Sequence, residues 1–335
     1  MFKKKSFIMA VILVICMVGM TACKKNVGAP EDNAQAAETE EENEAEESTE
    51  HLIGFSVIDM ENPYFITLEN AAREALEESG YRMITKNPET DPELQKTQIQ
   101  EMIDEGIEAI ILSPVDWEKI TPSLQALKKA GVKIINVDTQ VKEMDYVDAY
   151  IGSDNHKAGY ICGEDLIAKC PDGGKIAILE CPTQNSINDR ITGFEEAIAQ
   201  AENGFEVVAR QDTKGEFEQA LEAAQKILEE HPDISAIMCG NDQLAVAAKA
   251  AVNVAALDEV IIYGVDGSPD IKKELKKPEN QIAGTAAQSP INMGKEASLT
   301  AINILTGKKY EKEVYEDVFM INRDNVDMYG TDGWQ

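Results

Sequence analysis

The chain has 335 residues, with 61 Asp and Glu against 31 Lys and Arg, and a formal net charge of −30 at pH 7. A field of that sign repels nucleic acid and anionic lipid, and no basic patch interrupts it, so nucleic-acid binding is excluded as a function. Its length suits two lobes of ordinary domain size behind an N-terminal extension.

Lys3, Lys4 and Lys5 precede an apolar run from Phe7 to Ala22. Basic residues, an apolar run and small residues before a cut make an export signal. An uncleaved membrane helix is the alternative, but a run from 7 to 22 falls short of the roughly 20 residues that span a bilayer. The stretch Met20, Thr21, Ala22, Cys23 resembles a bacterial lipobox, with Met20 where Leu is commoner. The reading is therefore a lipoprotein signal over 1–22, cleaved before a lipidated Cys23, with the mature protein anchored on the outer face of the bacterial cell membrane. Residues 23–51 carry ten acids and hardly any apolar side chain beyond Val and Ala. Such a segment cannot bury enough surface to offset the entropy of ordering it, and it is read as an acidic, disordered tether.

From Leu52 onward, short apolar runs alternate with helical periodicity. Strands are expected at 52–58, 81–85, 108–113, 133–137, 175–180, 205–210, 235–239, 260–264 and 282–287, with a last one, "YEDVFMI", at 315–321. Helices such as "NAAREALEESG" and "EFEQALEAAQKILEEH" fill the gaps. This alternation predicts an α/β fold with parallel sheets covered on both faces. A closed barrel is the structural alternative. At 148–155 and 286–292 extended runs lead into helices as though the chain passes between units, and the rhythm restarts near residue 175. Two doubly wound lobes explain this better. Cys162, Cys170, Cys181 and Cys239 fit no metal spacing and are expected as buried, reduced thiols; Cys162 and Cys170 share one predicted helix at about 12 Å, too far to bridge.

In open sheets of this kind ligands sit beyond the carboxyl ends of the strands. Those ends carry Asn62, Pro63, Tyr64 and Phe65, then Asp138, Thr139 and Gln140, then Asn188 and Arg190, Asn241 and Asp242, Asp266 and finally Gln288. Carboxylates, amides and a guanidinium can each engage neighbouring hydroxyls, and an aromatic face covers the C–H side of a sugar ring. Each residue also has a plainer reading. Asn62 and Asn241 read as ordinary helix caps, Pro63 suits the first helical position, Asp138 and Asp266 read as simple strand terminators, and one of the two aromatics reads as core.

The segments "ENPYF", "INVDTQ", "GSDNHKAGY", "NDRITGFEEAI", "GNDQLA", "YGVDGSPD" and "GTAAQSP" resemble those of the ribose- and galactose-binding family of periplasmic solute receptors for ABC transporters, in order over 52–323. The resemblance implies type I periplasmic binding protein architecture: one lobe from 52–153 plus 289–317, the other from 154–288 plus 318–335, joined by a three-segment hinge near Ser153, Gln288 and Asp317. It implies ligand contacts from Asn62, Tyr64, Phe65, Asp138, Asn241, Asp266 and Gln288, with Arg190 in the helix that closes on the sugar. Two positions depart from the family. Thr139 stands where ribose receptors have an arginine, and Asn188 replaces a second one; both are kept as candidate contacts, and they put ribose in doubt. Gly215 aligns with the family's second stacking aromatic, with Phe217 near enough to substitute.

The expected function is that of a lipid-anchored receptor that captures a neutral sugar and hands it to an ABC permease. A sensor that presents the closed form to a chemoreceptor or kinase is the alternative. A glycosidase using Asp138 and Asp266 is a third reading. Against it, His51, His156 and His231 fall outside the strand-end set and no metal or dinucleotide motif is present. No catalytic residue, cofactor or metal is expected, and the protein is read as a monomer.

Overall fold

The computed structural model describes residues 51–278 and 280–335. The export signal, the Cys23 lipidation site and the acidic tether up to residue 50 lie outside the described residues. The elements run β1 (Leu52–Ser56), α1 (Pro63–Glu78), β2 (Arg82–Lys86), α2 (Pro92–Asp104), β3 (Ala109–Leu112), α3 (Thr121–Ala130), β4 (Lys133–Val137) and β5 (Ala149–Ser153). They continue with α4 (Asn155–Lys169), β6 (Gly174–Glu180), α5 (Asn185–Ile198), β7 (Phe205–Asp212), α6 (Phe217–Glu230), β8 (Ala236–Cys239), α7 (Asp242–Ala255) and β9 (Ile261–Asp266). The last are α8 (Pro269–Leu275), β10 (Ile282–Ala287), α9 (Pro290–Leu305), β11 (Glu313–Glu316) and β12 (Phe319–Asn322).

The strands form two open six-stranded sheets, ordered β11-β5-β4-β3-β1-β2 and β12-β10-β9-β8-β6-β7. All pairings in the first are parallel, and in the second only β12 runs antiparallel, against β10. Two open sheets, each with its own edges, replace the barrel alternative. Central strands such as "AIIL" and "AIMC" are buried along their whole length, as expected when helices cover both faces. In β3, Ile111 joins one apolar cluster while Ile110 and Leu112 join another, because successive side chains point to opposite faces. The second sheet repeats this, with clusters on either side around Ile237 and Met238.

The chain passes between the sheets three times: from β5 into α4, from β10 into α9, and between β11 and β12. The last passage corrects the expected single strand at 315–321. Asp317 and Val318 separate two short strands that belong to different sheets. Beyond them the chain straddles both lobes, since Val326 lies in a second-lobe cluster while Trp334 packs against a first-lobe one. The thiols are free; Cys162, Cys181 and Cys239 are buried, but Cys170, at the C-terminal end of α4, is only half-buried.

One packing detail positions the site. Helices α4 and α5 touch through glycines, so that a Cβ on Gly159 would lie 1.6 Å from the Arg190 carbonyl oxygen and one on Gly193 would lie 1.9 Å from that of His156. Only glycine permits so close a backbone approach. It sets Arg190, in the middle of α5, beside Asn155 at the start of α4.

Candidate functional site

Between the carboxyl ends of the two sheets lies a cavity of about 290 Å³. Asn62, Tyr64, Phe65, Asp138, Arg190, Asn241 and Asp266 line it, which brings together residues from strand ends of both lobes. Thr139, Asn188 and Gln288 do not line it. The Thr139 hydroxyl instead meets that of Ser186 at 2.7 Å across the lobes. Asn188 donates to the Pro182 carbonyl at 3.0 Å, within its own lobe. Gln288 is buried behind the cavity and donates from Nε2 to Asp266 Oδ1 at 2.8 Å.

The turn after β1 is built by local chemistry. Asn62 has extended backbone and its Oδ1 accepts the Tyr64 N–H at 2.9 Å, while Pro63 occupies the first helical position where no N–H is needed. That launches α1 with Tyr64 and Phe65 facing the cleft, their rings edge-on at 5.3 Å between centroids. Tyr64 is nearly fully buried. Burial, then Asp138 and Asp266 nearby, push its phenol well above the ordinary range.

Both aspartates sit on unusual backbone. Asp138 has φ +59°, a left-handed conformation that Asp tolerates better than most residues. Asp266 has φ +141°, a region costing of order 1–3 kcal/mol outside glycine. Its carbonyl is pinned by the Gln288 N–H at 3.0 Å and by Gln335 Nε2 at 3.1 Å. The strain aims the carboxylate into the cleft.

Arg190 stands between them. Its Nε donates to Asn155 Oδ1 and its Nη1 to the Gly240 carbonyl, both at 2.8 Å. The guanidinium nitrogens lie 3.9 Å from Asp138 Oδ1 and 3.8 Å from Asp266 Oδ1. Asp242 adds a third buried carboxylate, accepting from the Ser268 N–H and the Thr285 hydroxyl at 2.7 Å each. One guanidinium thus stands between two buried acids, with a third close behind in Asp242. Burial raises Asp138 above the usual carboxylate range, against the opposing pull of Arg190. Asp266 is pushed up to about 8, chiefly by burial, with Arg190 opposing and Asp242 and Asp138 adding. Burial likewise raises Asp242.

The cavity also uses residues that strand ends did not mark. Thr90, Gln184, Ser186, Glu216 and Phe217 line it. Gly215 has φ +77°, and a Cβ there would meet Gln184 Nε2 at 2.9 Å, so the Gln184 amide occupies the space a larger residue at 215 would need. Phe217 supplies an aromatic from the second lobe. Phe217 is the aromatic named as a substitute for the one absent at Gly215; Thr90, Gln184, Ser186 and Glu216 left no signal in the sequence. Three hydrogen bonds tie the lobes around the cavity: Thr139 to Ser186, the Trp117 N–H to the Thr183 carbonyl at 3.0 Å, and the Thr90 hydroxyl to Glu216 Oε1 at 3.3 Å. Among the described residues no group of three or more His, Cys, Asp or Glu could hold a metal ion. Donors and acceptors dense around a small hollow, with aromatic faces from both lobes, suit a compact polyhydroxyl molecule.

Relatives and solved structures agree in fold and in kind. The ribose import binding protein RbsB of Bacillus subtilis is 29% identical over 266 residues, covering 79% of this chain and 85% of its own length. A solute-binding protein of an ABC transporter from Mycobacterium smegmatis, solved with bound glycerol, superposes with a TM-score of 0.80 at 26% identity, over 85% of this chain and 99% of its own. One from Actinobacillus succinogenes, solved with bound D-allose, gives 0.76 at 27% identity over 84% and 100%. These are binding proteins of transport systems and not enzymes. A family model described as "periplasmic binding protein domain" matches residues 53–309, and the chain belongs to that family.

Proposed function

We propose that this protein is the receptor of an ABC importer that holds a neutral sugar or polyol between its lobes, contacted by the residues that line the cavity. The observation that carries the reading is Arg190, clamped by neutral acceptors and shared by Asp138 and Asp266 from opposite lobes. Two carboxylates brought together in a drying cleft repel unless donors separate them. The hydroxyls of a neutral sugar supply donors; a phosphate or carboxylate on the ligand adds to the repulsion. Phe65 and Phe217 offer the apolar faces. RbsB by its name imports ribose, and the Actinobacillus protein was solved with D-allose; a pentose and a hexose both stay candidate ligands here, since Thr139 is turned to Ser186 and Gln184 fills the space beside Gly215, so neither departure adds room.

The three passages near Ser153, Gln288 and Asp317 serve as the hinge on this reading, with closure of the lobes trapping the ligand. The family works outside the cytoplasm. The lipobox-like stretch at 20–23 supports tethering of this chain to the outer face of the cell membrane through Cys23. Since a single acyl chain binds membranes only marginally, stable attachment requires more than one.

A thermal-shift screen of neutral monosaccharides and polyols beside sugar phosphates and sugar acids tests the proposal. A ligand that binds only the folded form raises stability by RT ln(1 + [L]/Kd), about 2.7 kcal/mol at a hundredfold excess over Kd. Neutral sugars should raise the melting temperature, and saturating ligand should lower the radius of gyration. Tight binding of a sugar phosphate contradicts the charge argument. A scattering profile unchanged by ligand contradicts closure.

A further inference from the structure

A second hollow of about 400 Å³ adjoins the cavity, and the two share Asn62, Phe217, Gln243 and Asp266. Its own walls differ in kind. Pro63, Val246, Pro269 and the indole of Trp334 face it. Three helices begin there, and each cap takes up one of the first-turn N–H groups. Asn62 caps α1, Asn241 caps α7 and Ser268 caps α8, while Pro63 and Pro269 have no N–H to offer. Asp242 is already satisfied by Ser268 and Thr285. Gln243 and Asp270 leave polar groups on the rim, while Pro63, Val246, Pro269, Phe217 and Trp334 give walls that suit an apolar group or the C–H face of a ring.

Trp334 is not a loose end resting on the surface. Its ring meets Tyr64 edge-on at 5.7 Å. The next residue, Gln335, donates from Nε2 to the Asp266 carbonyl at 3.1 Å and to the Gln288 carbonyl at 2.8 Å. The fully buried side chain of Lys272 donates to the Gly333 carbonyl at 2.5 Å and to Gln335 Oε1 at 3.1 Å. Partners from both lobes therefore hold the indole where it forms a wall, next to the aromatic and the aspartate of the polar cavity.

We infer that the cleft has two compartments, and that its ligand is a glycoside: a sugar ring in the polar cavity carrying, on one oxygen, a second ring or an apolar substituent that lies against Trp334. The inference rests on the sugar-binding reading above and adds the class of sugar derivative.

Calorimetry on the protein with D-ribose, D-allose, D-galactose and D-glucose, each beside its methyl and phenyl glycosides, tests it. For at least one sugar the phenyl glycoside should bind about tenfold more tightly than the parent, the gain expected from burying roughly 60 Å² of apolar surface. Trp334→Ala should abolish that preference, and Lys272→Met, which frees the segment, should reduce it. In a Trp117→Phe protein Trp334 is the remaining tryptophan, and its emission should shift with the phenyl glycoside more than with the parent sugar. This readout decides the matter even if the alanine variant fails to fold. Parent sugars that bind as tightly as every glycoside, or a preference that survives Trp334→Ala, overturn the second compartment and leave sugar binding standing. Binding of none of the sugars or glycosides overturns both.

Discussion

Replacing Arg190 with methionine keeps most of the side chain's bulk and removes the one charge that the buried aspartates share. Two losses should follow, separable by pH. The hydrogen bonds to Asn155 and to the Gly240 carbonyl go at every pH, leaving buried acceptors unmade at about 1–3 kcal/mol each. The counterion loss acts only while the carboxylates are ionised, and breaking a buried pair costs about 3–5 kcal/mol. Asp266 sits at about 8 because burial outweighs the pull of Arg190, and Asp138 is raised in the same sense. A carboxyl whose folded pKa is raised favours the folded state below its unfolded value near 4, and that contribution fades as pH climbs through the folded pKa. Without the guanidinium both folded values rise further, so the variant loses stability more steeply than the parent toward alkaline pH. Urea unfolding of both proteins at pH 5, 7 and 9, without ligand, should give a deficit of a few kcal/mol at pH 5 that grows by about 1–3 kcal/mol at pH 9. A deficit that is the same at all three values would refute the counterion role and leave Arg190 as a packing and hydrogen-bonding residue.

Asp138→Asn tolerates the left-handed backbone and should weaken sugar binding by about 2–3 kcal/mol, read by calorimetry, with little change in the melting temperature of the free protein. Gly159→Ala should destabilise by at least 1–3 kcal/mol in urea and weaken binding as well, because the new methyl meets the Arg190 carbonyl. Thr139→Val removes the bond to Ser186 across the lobes and should cost about 1 kcal/mol in affinity, a loss that should vanish when the same change is made in a Ser186→Ala background, where the bond is already gone. Cys23→Ala should leave an unprocessed precursor, visible as a mass shift, whereas the parent protein partitions with membranes; a parent N-terminus that is free and begins elsewhere would show that Cys23 is not acylated.

Much of the fold was legible because its signals are local. The apolar runs at 52–58, 108–113 and 235–239 contain observed strands, and the Asn62–Pro63 pair starts a helix where capping chemistry says it should. The boundary that failed, at 315–321, failed for a physical reason. Tyr315 and Met320 both read as strand, yet Asp317 and Val318 lie where the chain leaves one sheet and joins the other, and no propensity marks a change of partner. In the site, Asp138, Arg190 and Asp266 were found as polar residues at strand ends and early in a helix. Gln184, Ser186 and Thr90 were not, since such residues at helix starts and in loops look alike whether or not they face a cavity.

By itself, then, the sequence determined the alternation of strand and helix, the caps, the acidic charge and the set of polar strand ends, all of which depend on residues within a few positions of one another. Only the tertiary structure decided that Thr139 would bond Ser186, that Gln184 would fill the space beside Gly215, that one guanidinium would stand between Asp138 and Asp266, and that Trp334 would come back to stand beside Tyr64. Those pairings join residues from tens to hundreds of positions apart. Their energy comes from burial and from hydrogen bonds that exist only once the lobes have packed, so nothing in the local chain carries their signature.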